Sequence, residues 1–369
     1  MHTPSLRNKF SALLFVLLLA ALFAAFLLLP KRGYSENENR YLTEKPSFSL
    51  DALLSGSYTA DFESYVTDGF PFRDAWISLK SRLDLAVGRR DTGGVYVTRD
   101  GCLIEMFDSV DQAQYDRNLA YLRAARKALE GRLDSFRVLL VPTAAKVWQD
   151  RIAPYTADID QAQLLDQAGD LLSLDCLQIL SDHREEEIYY RTDHHWTSRG
   201  AYYVYEALMG TEALPESAFT VETLSEDFLG TTFSKAGIWF EKDRIEAWQP
   251  DTVYTIEHNL DGRLLDSMYD RSFLDKKDKY SVFLGGNQAL SVIRTDNPNG
   301  RRLMLVKDSY ANTFVQFLLP HYEEIHIVDL RSFALPLSAY IEEQQITDLL
   351  VLYNLKGFSQ ETSVFRIAK

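Results

Sequence analysis

Cysteine is almost missing: Cys102 and Cys176 are the only two in 369 residues. No CxxC pair or Cys/His cluster is present, which argues against a zinc finger or ribbon. Pairing of the two would need a Cα separation of about 4.4–6.8 Å. Two isolated buried thiols are the simpler expectation. Positive charge is also scarce. Thirty-nine Lys and Arg face 53 Asp and Glu, a net charge of −14, which is the wrong sign for neutralising a phosphate backbone. No nucleic-acid partner is expected. The chain has no P-loop, no GxGxxG and no HExxH, which removes the simplest nucleotide sites and the commonest helical zinc site. No internal repeat or low-complexity tract stands out. The remainder is globular, with 46% apolar and 25% charged residues.

One apolar run breaks that globular composition. Phe10 to Pro30 is 21 residues with Ser11 as its only polar side chain, enough for a helix to cross a ~30 Å hydrocarbon core. Arg7 and Lys9 precede it and Lys31 and Arg32 follow, so flanking charge alone leaves the orientation nearly open. A lone N-terminal helix ahead of a large domain implies a signal-anchor over residues 1–33, with the domain outside the cytoplasm. A cleaved signal peptide is the competing reading. Its apolar region would be shorter, about 7–15 residues, and no small-x-small pair is well placed near the end of the run.

Residues 34–92 read as a polar stalk, centred on Ser35–Arg40, and a helical subregion. Trp76, Leu79, Leu83 and Val87 recur every three or four positions, and Gly69-Phe70-Pro71-Phe72 interrupts the helix. Residues 93–369 then read as one α/β domain. Val95–Val97 and Cys102–Ile104 flank an Asp100-Gly101 hairpin turn. Ser109 and Gln112 suggest a capping box before a helix lined by Tyr115, Leu119, Leu122, Leu129 and Leu133. Strands are expected at Val138–Val141, Leu177–Leu180, Leu303–Val306, Ile325–Val328 and Leu349–Leu352. Helices are expected at Gln161–Leu172, Ala311–Leu319 and Ser338–Gln345. Aliphatic runs alternating with helices indicate a parallel sheet covered on both faces. The segment at about 210–280, acidic and aromatic, reads as an insertion over one end of that sheet.

Two stretches carry the chemistry. Ser309 follows Leu303–Val306 and precedes the helix expected from Ala311. Its hydroxyl should therefore lie at a strand's carboxyl end, with its N–H at a helix N-terminus suited to an oxyanion. The plainer reading is that Asp308-Ser309 is a helix cap. Asp193-His194-His195-Trp196 places a carboxylate and two imidazoles just ahead of another helix. In an extended segment, residues i and i+2 share a side. Asp193 would then orient His195, leaving Nε2 as a base, while His194 turns away. Metal ligation by Asp193, His194 and His195 is an alternative, but adjacent ligands need partners that the sequence does not offer. A polar cluster capping the helix from Thr197 is the bland one. His183, His258, His321 and His326 read as structural or solvated. Together the residues support an acyl-transfer triad of Ser309, His195 and Asp193.

The Asp193-His194-His195-Trp196 stretch resembles the signature of the bacterial DHHW family, related to the SGNH-hydrolase-like domain of alginate O-acetyltransferases. Further blocks resemble it as well: Glu38-Asn39-Arg40, Phe62–Tyr65, Asp68–Arg73, Lys307–Asn312 and Asp348–Asn354. The resemblance implies an SGNH-like three-layer fold with a central parallel sheet, and it places Asp193, His195 and Ser309 on catalytic positions. As in the alginate relatives, the serine block comes last, whereas ordinary SGNH enzymes place it first. Lys307 stands where glycine would sit. Gly286, Asn287 and Asn312 are the oxyanion or substrate candidates. The function implied is O-acetyl transfer onto, or removal from, a cell-envelope or exported polysaccharide, with no small-molecule cofactor and no metal. A membrane-embedded acyltransferase is the implied acetyl donor. A noncatalytic carbohydrate-binding or assembly factor is the alternative, with Trp239, Phe240 and Trp248 as stacking groups.

Overall fold

The computed structural model describes residues 6–35, 40–156 and 158–368. The chain forms two compact units, Met1–Gly88 and Arg89–Lys369. The first begins with a helix at Leu6–Leu28 that buries none of its residues. Shorter helices follow at Leu50–Leu54, Ser57–Asp68 and Arg73–Ala86, the last two separated at the expected turn. Trp76, Leu79, Leu83 and Val87 line the final helix and its end, but they remain exposed. Periodicity found the helix; the face is not buried. Residues 36–39 of the expected stalk, including Glu38 and Asn39, lie outside the described residues.

The second unit is built on a seven-stranded sheet. In chain order its strands are β1 (Ser135–Val141), β2 (Tyr254–His258), β3 (Leu264–Leu265) and β4 (Leu290–Thr295), then β5 (Arg302–Lys307), β6 (Glu324–Val328) and β7 (Asp348–Asn354). Their spatial order is β3-β2-β4-β6-β5-β7-β1. The β6, β5, β7 and β1 strands are parallel, while β4, β2 and β3 add antiparallel. The sheet is therefore mixed, not wholly parallel as the sequence suggested. The antiparallel part includes β4, in a stretch that gave no clear signal, and β2 and β3 from the expected insertion. Within that insertion, Phe219–Phe228 and Asp243–Pro250 form a separate hairpin.

Alternation along the strands divides the core in two. Leu139, Val141, Leu303, Leu305, Leu350 and Leu352 pack on one face. Val138, Leu140, Met304, Val306, Leu349 and Val351 pack on the other. Successive strand side chains point to opposite faces, so an apolar run with no polar break requires cover on both sides. Helices Gln112–Ala128 and Leu337–Glu343 contribute to one core, and Cys176–Asp182 and Ser198–Met209 to the other. This makes three layers.

Several local expectations need correction. Leu177–Leu180 lies in the helix Cys176–Asp182, because Asp175 caps it by accepting from the Gln178 N–H at 2.9 Å. Asp111, and not Ser109, caps the helix Gln112–Ala128, accepting from Gln114 N–H at 3.0 Å. The helix from Ala311 is α-helical only to Phe314 and continues as 3-10 turns. Cys102 and Cys176 are free and buried.

Candidate active site

Strand β5 is central, and the chain leaves it for β6 on one side and reaches β7 on the other. Loops part at such a switch point and leave a crevice at the strands' carboxyl ends. A cavity of about 500 Å³ occupies that edge. It is lined by Thr143 after β1, Ser309 after β5, Arg331 after β6 and Asn354 at the end of β7. Asp193 and His194 line it from outside the sheet.

Residues 191–195 form a bent loop and not an extended strand. Other elements hold this loop. The Asp243 carboxylate accepts from the N–H groups of Arg191 at 2.7 Å and Thr192 at 2.8 Å, and from the Thr192 hydroxyl at 2.5 Å. Burial pushes the Asp243 carboxyl up to about 6. On the far side of the loop, the helix Ser198–Met209 begins with Thr197 capping Gly200. Gly200 is needed there, since a Cβ would lie 2.3 Å from the Ile188 carbonyl oxygen.

The loop's bend presents Asp193 and His195 together. Asp193 Oδ1 accepts from the His195 N–H at 3.0 Å and lies 2.5 Å from Nδ1 of its ring. Asp193 Oδ2 accepts from the Thr231 N–H at 2.7 Å and hydroxyl at 2.9 Å. Burial opposes the charge on Asp193. The His195 and His194 imidazoles and these hydrogen bonds outweigh it, and hold its carboxyl well below the usual carboxylate range. For His195, burial and then the neighbouring His194 keep the ring below its ordinary value despite Asp193. The ring is therefore neutral at pH 7. With its proton on Nδ1, facing the carboxylate, Nε2 is an acceptor 2.7 Å from Ser309 Oγ. Asp193 and His195 are buried and Ser309 is half-buried at the cavity.

Two further bonds join the loop to the turn that carries Ser309. Tyr310 donates its hydroxyl to the His194 carbonyl, and Trp196 Nε1 donates to the Tyr310 carbonyl at 2.8 Å. The Tyr280 hydroxyl donates to the Ser309 carbonyl at 3.0 Å. The Tyr280 ring also stacks on His195, 3.8 Å between centroids and 11° from parallel. Neither Tyr280, Thr231 nor Asp243 announced itself in the sequence. Tyr310 stood inside the Lys307–Asn312 block with no role of its own assigned.

Two expectations change. His194 does not turn away: its ring centroid is 3.9 Å from that of His195, and its Nδ1 donates to Thr231 Oγ1 at 2.6 Å. The bend in the loop removes the alternation on which the expectation rested. Asp193, His194 and His195 do lie close enough together to offer three ligand atoms, but Asp193 and His195 already spend theirs on each other and on Ser309. The second change concerns Gly286, Asn287 and Asn312, none of which lines the cavity. Lys307 Nζ donates to Asn287 Oδ1 at 2.8 Å and to Asn312 Oδ1 at 2.7 Å. The lysine in glycine's place is thus a buried brace beneath the turn, its ammonium lowered to about 8 by burial.

The family model described as DHHW protein matches residues 92–328. Two curated relatives are both named probable alginate O-acetylase AlgJ. That of Pseudomonas syringae pv. tomato is 29% identical over 171 residues, covering 42% of this chain and 43% of its own. That of Pseudomonas aeruginosa is 27% identical over 196 residues, 49% of each chain. The chain thus spans about half the length of the curated relatives it matches. Among solved structures, a DHHW family protein from Eubacterium siraeum is similar with a TM-score of 0.63 and 27% identity, over 75% of this chain and 95% of that one. Bacillus cereus PatB1, solved with a sulfonyl adduct, shares the fold with a TM-score of 0.62 and 18% identity, over 74% and 98% of the two chains. With its match covering more than half of the sequence, this chain belongs to the DHHW protein family.

Proposed function

We propose that this protein is an acyl-transfer enzyme of SGNH type, an O-acetyltransferase or acetylesterase acting on a cell-envelope or exported polysaccharide. The observation that carries the reading is the unbroken line from Asp193 through His195 to Ser309, opening on a cavity. Ser309 Oγ attacks the ester carbonyl as its proton passes to His195 Nε2, and Asp193 stabilises the imidazolium. Among the described residues the Ser309 N–H has no hydrogen-bond partner, which leaves it available to the oxyanion. Collapse expels the alkoxide, which takes the proton from His195 and leaves acetyl on Ser309. A glycan hydroxyl then completes transfer, or water completes hydrolysis, with His195 again the base. The curated relatives' names support acetyl chemistry on a polysaccharide.

The helix Leu6–Leu28 is long and apolar enough to cross a membrane, as an anchor or a signal sequence would be; we read it as an uncleaved anchor with the α/β unit outside the cytoplasm. A membrane-embedded acyltransferase would be the acetyl donor in that setting. The test is acetate release from acetylated glycans by wild type and Ser309→Ala. Retained activity in the variant would remove the triad, and N-terminal sequencing that begins near Ser35 would remove the anchor.

A further inference from the structure

Beyond the triad the cavity lining is rich in charge, yet its cations are already spoken for. Lys356 Nζ donates to Glu105 Oε1 at 2.8 Å and to the Met106 carbonyl at 2.9 Å. Lys235 reaches the same Glu105 oxygen at 2.5 Å. Burial raises the Glu105 carboxyl, but His194, Lys235 and Lys356 outweigh it and bring it down to about 2, so it stays ionised. Arg331 offers Nε and one terminal nitrogen to Asp329, at 2.9 and 2.5 Å. That pair of N–H groups is the fork with which a guanidinium grips a carboxylate. Asp329 is only 2% exposed, and it holds the fork although the Arg331 side chain itself is half-exposed.

The same lining carries four carboxyl side chains, Glu105, Asp193, Asp308 and Glu361, against the two cations Lys356 and Arg331. Lys235 and Lys356 neutralise Glu105, which leaves Asp193, Asp308 and Glu361 as the carboxyls an entering anion would meet. An acidic sugar entering the cavity would meet repulsion from those carboxyls and find no free guanidinium fork. What remains on this lining is suited to hydroxyls: the other terminal nitrogen of Arg331, the third proton of Lys356, the exposed amide of Gln360 and the exposed hydroxyl of Thr362.

We infer that the glycan taken by this cavity is uncharged, a neutral hexose or N-acetylhexosamine chain, and that polyuronates are excluded by charge. This deepens the function proposed above and rests on the cavity being its glycan site. Selection of this kind works by repulsion as much as by attraction, and it weakens as salt screens the carboxyls.

The test is calorimetric titration of the full-length protein in detergent with neutral hexose and N-acetylhexosamine oligosaccharides, and with oligouronates of the same length. Binding is read directly, so the result does not depend on turnover. At about 20 mM salt the best neutral oligosaccharide should bind at least ~10-fold tighter than any oligouronate. Raising salt to about 200 mM should narrow the gap. Glu361→Gln, which keeps an oxygen for the Ser363 N–H and hydroxyl, should narrow it by ~3-fold at low salt. Equal or tighter oligouronate binding would overturn the inference, as would failure of every neutral oligosaccharide to bind. Separately, labelling of Ser309 by a fluorophosphonate tests the triad without any glycan, so failure of the enzymatic reading would show there.

Discussion

The loop carrying Asp193 and His195 and the turn carrying Ser309 meet at one hydrogen bond, yet each is held in its own way. The turn follows the central strand β5, with β6 and β7 paired on either side. Beneath it Lys307 is 1% exposed and bonded to Asn287 and Asn312. The loop has no central strand to lead it. Buried carboxyls organise its backbone: Asp243 takes Arg191 and Thr192, and Asp193 takes the His195 N–H. A turn launched from a sheet is positioned by the fold. A loop strung on carboxylates is positioned by hydrogen bonds to specific atoms, so small changes there should cost activity before they cost stability.

Substitutions on the two sides can break that comparison. The largest effect is expected from Asp193→Asn, which leaves the shape but no longer holds the Nδ1–H tautomer of His195. Turnover should fall about 10³-fold or more with little change in melting temperature. Gly230→Ala comes next. A Cβ there would lie 2.3 Å from Asp193 Cβ and Oδ2, so the carboxylate must move and turnover should drop ~10²-fold, read as kcat on a small ester. Asp243→Asn and Lys307→Met form the crossed pair. The first removes an acceptor from the loop and should cost ~10-fold in turnover. The second leaves two amide oxygens without their donor and should cost about 1–3 kcal/mol of stability in denaturant unfolding, with a smaller loss of rate. If Lys307→Met proves the more harmful to rate, the contrast between loop and turn fails. Tyr280→Phe keeps the ring on His195 and deletes one hydrogen bond to the Ser309 carbonyl, so a loss of only a few-fold is expected.

The pH profile sharpens the same picture. In the proposed mechanism neutral His195 is the reactive form, and its value in the folded protein lies below the ordinary 6.5. Turnover should be level from about pH 7 to 8 and fall only below pH 6.5, as the ring gains a proton. Asp193 works in the same direction on stability. Its depressed value contributes fully above the ordinary carboxylate range, and that contribution is lost as pH falls toward the folded value. An acid limb centred above 6.5 would contradict the assignment of His195 as a buried base.

The strands of the parallel half were legible because β5, β6, β7 and β1 are covered on both faces and so read as mostly aliphatic runs, with His326 the polar break in β6. In β4, Ser291, Arg294 and Thr295 mix with apolar residues; β2 and β3 lie beyond it at the sheet edge. Their pattern is too short and polar to stand out. Leu177–Leu180 misled because a four-residue apolar run does not distinguish strand from helix. At the site, residues that sit in a local pattern were legible and those outside one were missed. Asp193 and His195 announce themselves by spacing, and Ser309 by its place after a strand. Thr231 and Asp243 reach the site from the hairpin region and Tyr280 from the 3-10 turn Lys279–Val282, where no local pattern marks a tyrosine that stacks on a histidine or a threonine that holds an aspartate. His194 was misplaced for a related reason: the loop's bend is imposed by Asp243, 49 residues downstream of it.

The central claim is that Ser309 is a nucleophile activated by His195. Its most direct test is intact-mass measurement after treating wild type, His195→Ala and Ser309→Ala with a fluorophosphonate at pH 7.5, followed by peptide mapping. The account predicts one adduct on Ser309 in wild type, labelling slowed by ~10² or more in His195→Ala, and none in Ser309→Ala. Equal labelling in wild type and His195→Ala, or no labelling of wild type, would contradict it and favour a noncatalytic carbohydrate-binding role.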